Sequence, residues 1–225
     1  MSGSLTQVVR HHLAALRMLL VLTVITGIAY PLAVTAIAQV FFPHQANGSL
    51  IKDHGRPVAS ALIGQSFDLP QRIPAPDPHW FQPRPSAAGG TGYDATSSGA
   101  SNLGPNNTTL VKTIAQRRAA VAAFDGVPPG RVPADAVTAS GSGLDPDISP
   151  AYAYEQVNRV AKARGLNPAA VRDLVAAHVS GRQLGFLGQG SVNVVLLNHE
   201  LAALRRAWPC PSVRPGASPC AEPVA

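Results

Sequence analysis

One hydrophobic run dominates the pattern of the chain. Met18 to Phe42 is almost wholly apolar, and no Asp, Glu, Lys or Arg occurs from Met18 to Ile51. At about 1.5 Å per helical residue the run exceeds the ~30 Å hydrocarbon core of a bilayer, which predicts one membrane-spanning helix with some tilt. Gly27 and Pro31 fall in the middle of it and predict a bend. In lipid a bend persists only where the freed carbonyls find partners, which points to packing against other helices; a bent helix standing alone is the alternative. The rival reading of the whole run is a cleaved signal peptide, because the start is basic and Ala36-Ile37-Ala38 is a small-residue pattern. Val40, Phe41 and Phe42 carry the apolar run past that site, and its length favours retention as an anchor.

Behind the run the pattern breaks into short pieces. Leu50-Ile51, Val58 and Ala61-Leu62-Ile63, interrupted by Gly55 and Pro57, predict short strands or extended chain. Residues 64–106 carry Pro70, Pro74, Pro76, Pro78, Pro83, Pro85 and Pro105, so no long helix survives there. Phe67, Trp80, Phe81 and Tyr93 give that stretch apolar anchors that a solvated linker lacks, and it reads as an ordered, irregular binding loop. Helical spacing returns from Thr108 to Phe124, with Leu110, Val111, Ile114, Val121 and Phe124 on one face and Arg117 and Arg118 off it. Ser149-Pro150 is an N-cap followed by Pro at the first helical position, and the helix through Val157 and Val160 stops at Gly165. Asn167-Pro168 repeats the device for a helix through Val171, Leu174, Val175 and Val179. Val192 to Leu197 is β-rich, and Asn198 to Ala207 begins a last helix before Pro209. The fold class is α+β: one N-terminal transmembrane helix, then a small soluble domain of short strands and about four helices. The segments are a 1–17 N-terminus, an 18–42 span, a 43–207 soluble domain and a 208–225 Pro-rich tail.

Charge sets the orientation. Arg10 and Arg17, with His11 and His12, precede the span, whereas Lys52 and Arg56 follow it with Asp53 between them. That bias places the N-terminus in the cytoplasm and the domain outside. The net charge of +6 is scattered, with neither the basic stripe nor the aromatic platforms of a nucleic-acid binder, so no nucleic-acid partner is expected. Charged residues are only 13%, against 20 Gly and 21 Pro, a surface of uncharged loop that suits a domain leaning on partners. Cys210 and Cys220 both sit in the tail, where a disulfide and two free thiols are equally open readings.

Candidate chemistry is sparse. No Gly-rich turn ending in Lys and Ser or Thr is present to cradle phosphates, and the phosphorylated Asp-Lys-Thr-Gly string of a P-type ATPase is absent. His44, His54, His79, His178 and His199 are scattered without metal-ligand spacing, so no metal is expected. Ser140-Gly141-Ser142-Gly143 lacks the Gly two residues before the Ser that a nucleophile elbow needs. No catalytic residue is assigned. What stands out are tight turn strings: Ala61-Leu-Ile-Gly-Gln-Ser-Phe67, Arg84-Pro-Ser86, Ser101-Asn-Leu-Gly104, Val137-Thr-Ala-Ser-Gly-Ser-Gly-Leu-Asp-Pro146, Arg159-Val-Ala-Lys-Ala-Arg164 and Val192-Asn-Val194. Taken singly, Gly141 and Gly143 would allow positive φ, and Asp145 or Ser149 would cap a helix.

In this order and behind one span, the strings resemble the C subunit of the bacterial Kdp potassium-transporting ATPase, over about Gly27 to Leu204. Two local departures are Ser98-Gly-Ala-Ser-Asn-Leu103, where the family has a second Gly, and Gly188-Gln-Gly-Ser191 in place of a Gly-x-Pro turn. The resemblance implies an accessory subunit of an inner-membrane complex that carries potassium. Its partners would be a channel-like potassium-binding subunit, a P-type ATPase subunit and a small peptide. No cofactor is expected to bind firmly; ATP would be met through the ATPase subunit. The resemblance carries two roles: a catalytic chaperone that raises ATP affinity, with Gln156 at the nucleotide, or an outer-side subunit that holds the complex together. The charge bias supports the second, leaving Gln156 as a solvated or capping helix residue. Ser101, Asn102, Ser140, Ser142, Asp145 and Asn193 are the candidate subunit contacts. The alternative from another class is an anchored or secreted domain that binds a small ligand with the 64–106 loop.

Overall fold

The helix that opens the chain is longer than its apolar run. The structure, a computed structural model, describes residues 2–69 and 75–207; Pro70, Pro74 and the tail with Cys210 and Cys220 lie outside the described residues. The chain divides into two compact units, 1–50 and 51–225. In the first, α1 (Ser2–Val24) passes through one π-helical turn at Ile25–Ala29 into α2 (Tyr30–Phe41), and the four-residue α3 (Pro43–Ala46) follows. Pro31 explains the π turn. It has no N–H to offer the Gly27 carbonyl and its ring crowds that carbonyl, so the backbone widens one turn earlier, where the Tyr30 N–H reaches the Ile25 carbonyl five residues back. Thr26 Oγ1 donates to the Leu22 carbonyl at 2.7 Å. Thr6–Phe41 is long and apolar enough to cross a membrane.

The second unit is α+β. β1 (Leu50–Asp53) and β2 (Arg56–Ser60) form a two-stranded sheet across His54-Gly55, both at positive φ as the favoured two-residue hairpin turn demands. Residues 61–107 form no regular element among those described, yet Phe81 is completely buried, worth about 1.5–3 kcal/mol relative to exposure. Four helices follow: α4 (Thr108–Asp125), α5 (Pro150–Arg164), α6 (Pro168–Ala177) and α7 (Val194–Ala207). Caps fix their ends: Asn107, Ser149 and Asn167 accept from first-turn N–H groups, and Gly126 and Gly165 close α4 and α5 in the left-handed region. β3 (Asp147–Ile148) and β4 (Val179–Ser180) flank β5 (Ser191–Asn193) in an antiparallel sheet, with Val192 opposite both Ile148 and Val179. The core joins Phe81 to Val157, Val160, Val171, Val175, Val192, Leu197 and Leu201.

Several local expectations are corrected. α6 ends at Ala177, and Val179 belongs to β4. The β-rich Val192 to Leu197 splits: Asn193 Oδ1 accepts from the N–H groups of Val195 and Leu196 at 3.1 and 3.0 Å, and that side-chain cap starts α7 at Val194. Val111 is exposed because the first turn of α4 projects beyond the core, whereas Arg117 is half-buried and donates to the Val137 carbonyl at 3.3 Å. Gly143 has φ +68, but Gly141 is not among the positive-φ glycines.

Candidate functional site

The Pro-rich segment around Phe81 crosses α5 and α7 without joining a sheet, so its buried backbone groups need partners from side chains. Primary amides suit this, since each offers a donor and an acceptor. Asn198 on α7 accepts from the Phe81 N–H at 2.9 Å and donates to the Phe81 carbonyl at 2.9 Å. Gln156 on α5 does the same for the next residue, accepting from the Gln82 N–H at 2.6 Å and donating to its carbonyl at 3.1 Å. Arg159 also donates to Gln156 Oε1 at 2.6 Å, to the Pro78 and Trp80 carbonyls at 2.8 and 2.9 Å, and to Asp125 Oδ1 at 2.6 Å. Burial holds the Asp125 carboxyl above the ordinary carboxylate range, and the Arg159 charge pulls against that shift. Gln82 closes the loop on itself through Nε2, which donates to the Phe67 and Asp77 carbonyls at 3.0 and 2.9 Å.

Gln156 is therefore neither solvated nor a cap. It is wholly buried, and both ends of its amide are engaged inside the domain. Sequence reasoning missed Asn198, Gln82, Asp125 and the role of Arg159. A signal existed: Gln156 and Asn198 are polar residues on the apolar faces of their helices, among Tyr152, Ala153 and Val160 in one case and Leu197 and Leu201 in the other.

Downstream, the same segment is tied to the 138–146 turn. Arg84 Nη1 donates to Asp145 Oδ2 at 3.0 Å, and Asp145 Oδ1 accepts from the Asp147 N–H at 3.0 Å, so Asp145 caps a turn before β3 and no helix. Ser86 Oγ donates to the Gly143 carbonyl at 2.6 Å and accepts from the Tyr93 N–H at 2.8 Å. The Ser142 carbonyl accepts from the Gly99 N–H and from Ser98 Oγ, both at 2.9 Å, while its Oγ accepts from the Leu144 N–H. Asn193 Nδ2 donates to the Ala61 carbonyl at 2.8 Å. Of the six candidate contact residues, Ser142, Asp145 and Asn193 thus serve internal turns and caps. Ser140 is half-buried, and Ser101 and Asn102 are exposed, Asn102 with φ +51.

Two recesses border the segment. The larger, about 560 Å³, lies between α4 and residues 82–93 and is lined by Arg117, Val121, Phe124, Tyr152, Arg84 and Tyr93 among others. The smaller, about 400 Å³, is lined by Ile51, Val58, Trp80, Asn198 and His199 among others. Near the first turn of α5, Glu155 has a buried Oε1 with no hydrogen-bond partner, and desolvation, with Asp125 adding to it, pushes its carboxyl up to about 7. Among the described residues no three His, Cys, Asp or Glu come together as a metal cage would require.

The comparisons with known proteins agree with one another. The family model described as "K+-transporting ATPase, c chain" matches residues 12–203. The chain is 53% identical over 209 residues to the potassium-transporting ATPase KdpC subunit of Kineococcus radiotolerans, covering 93% of this chain and 100% of the relative. It is 54% identical over 205 residues to that of Gemmatimonas aurantiaca, covering 91% and 98%. Against the Streptomyces coelicolor protein of the same name the identity is 49% over 218 residues, covering 91% and 97%. A match over nearly the whole chain at about half identity leaves one assignment: this protein belongs to the family of K+-transporting ATPase c chains.

Proposed function

We propose that the chain is a non-catalytic accessory subunit of a potassium-uptake ATPase, anchored by its N-terminal helix and contributing a rigid domain that stabilises the complex. One observation carries the reading. Gln156, Asn198 and Arg159, buried polar residues of the kind a catalytic site would draw on, hold the domain's own backbone, and Asp125 is paired with Arg159. Potassium binding and phosphorylation then fall to other chains, a channel-like subunit and a P-type ATPase subunit, with a small peptide completing the assembly. A role for Gln156 in raising ATP affinity draws no support from the geometry, because reaching a nucleotide would break its bonds to Gln82 and Arg159 and leave buried groups unpaired. The recess beside α4 gives the small-ligand alternative its own specific feature, a half-buried Arg117 beside an apolar wall of Val121 and Phe124.

The test is purification of the tagged chain from cells that express the other subunits of its ATPase. Co-purification with large polytopic subunits, and no ATP hydrolysis by the chain stripped of them, is the expected result. Recovery as a stable free monomer would favour the ligand-binding alternative. Steady ATP hydrolysis by the isolated chain would overturn the non-catalytic assignment.

A further inference from the structure

The connection between β4 and β5 is an exposed, apolar turn. Residues 180–189 are all exposed, and within them Leu184, Phe186 and Leu187 stand 81%, 70% and 49% open to solvent. The loop is nonetheless regular. Gln183 and Leu187 form an antiparallel bridge, the Gln183 carbonyl accepts from the N–H groups of Phe186 and Leu187 at 3.3 and 2.9 Å, and the Arg182 carbonyl accepts from the Gly185 N–H at 3.1 Å. Leu184 and Gly185 occupy the two central positions of the turn with φ +53 and +82. Gly or Asn normally fills the first of these, because a branched side chain at positive φ costs on the order of 1 kcal/mol or more. A Leu there accepts strain in order to display an apolar side chain, and the turn is mounted on β5, the central strand of its sheet.

We infer that the 182–188 turn is a preformed apolar plug that seats in an uncharged pocket on another chain of the ATPase complex, with Leu184 and Phe186 as its anchors. The inference rests on the subunit reading above. Three features select this occupant. Arg182 is the only charged residue from 180 to 190, so neither an acidic partner nor an anionic lipid surface is addressed; interfacial anchors combine such apolar residues with several Lys or Arg. A fluid bilayer gains nothing from a strained, fixed turn, whereas a shaped protein pocket does, because preorganisation reduces the ordering cost of binding. A second copy meeting tip to tip would set one convex turn against another and leave the flanks of Leu184 and Phe186 in water, whereas a concave pocket surrounds what it binds.

The decisive experiment places the photoreactive residue p-benzoylphenylalanine at position 186 of the full chain, co-expressed with the other subunits, and is paired with a Leu184→Asn/Phe186→Ser double variant. Asn tolerates the turn's backbone, and both side chains are exposed, so the double variant should melt within about two degrees of wild type. Expected are a crosslink to another subunit and at least a tenfold loss of co-purifying subunits in the double variant, in keeping with anchor residues that dominate an interface. If the double variant unfolds, the crosslink alone decides. A crosslink to lipid, to a second copy of this chain or to nothing, or undiminished co-purification by a folded double variant, overturns the plug while leaving the subunit reading in place. Failure of the wild-type chain to co-purify overturns the subunit reading and the plug with it.

Discussion

At Gln156 one side chain answers for two backbone groups of Gln82 and for one N–H of Arg159. Replacing it with Leu would leave all three unpaired in a buried setting, at about 1–3 kcal/mol for each group stranded without water. Gln156→Leu should therefore lower the unfolding free energy of the full chain by roughly 3 kcal/mol or more. Gln156→Glu keeps the acceptor for the Gln82 N–H and Arg159, and although it turns an oxygen toward the Gln82 carbonyl, the Arg159 guanidinium offsets its charge, so its loss should be smaller. Denaturant titration in detergent measures both. Wild-type midpoints in the two variants would show that the amide clamp contributes nothing, and would reopen a surface role for Gln156. The residue was visible in the sequence as a polar side chain on an apolar stripe. Its partner was not, because Gln82 lies 74 residues away, within a segment that has no periodicity to fix which of its groups turn inward.

Among the elements, the helices were the most legible, because their caps are local. Ser149-Pro150, Asn167-Pro168 and Gly165 act within a few residues of themselves and do so in the structure as their chemistry requires. Strands were less so. β3 and β4 are two residues long and exist only because β5 lies between them, and β3 pairs with it from a position far away in the chain. The Ser140 to Pro146 turn is the element where glycine matters most. At Gly143 an added Cβ would fall 2.7 Å from both the Ala88 nitrogen and the Gly99 oxygen, on a backbone already at φ +68, whereas Gly141 has open space around it. Gly143→Ala should cost roughly 2–4 kcal/mol from strain and overpacking together, and Gly141→Ala close to nothing. Comparison of the two melting temperatures checks this; equal shifts would mean that the turn does not grip the 86–99 segment as described.

For the whole molecule, the open quantity is the side of the membrane on which the domain sits. Arg10 and Arg17 before the span outweigh the mixed charges of Lys52, Asp53 and Arg56 after it, so the domain should face the periplasm. A thiol reagent confined to the periplasm should then label Cys210 or Cys220 in reduced, intact cells. Protection until the inner membrane is opened would reverse the orientation. The sequence by itself determined the apolar helix, the caps at Ser149, Gly165 and Asn167 and the α+β class, since each follows from hydrophobic spacing or from hydrogen bonds spanning a few residues. Only the tertiary structure decided that Gln156 is buried, that Asp145 answers Arg84, and that Leu184 and Phe186 face water. Burial and long-range pairing depend on which segments meet, and side chains of one chemistry read alike in the sequence whether the fold covers them or leaves them open.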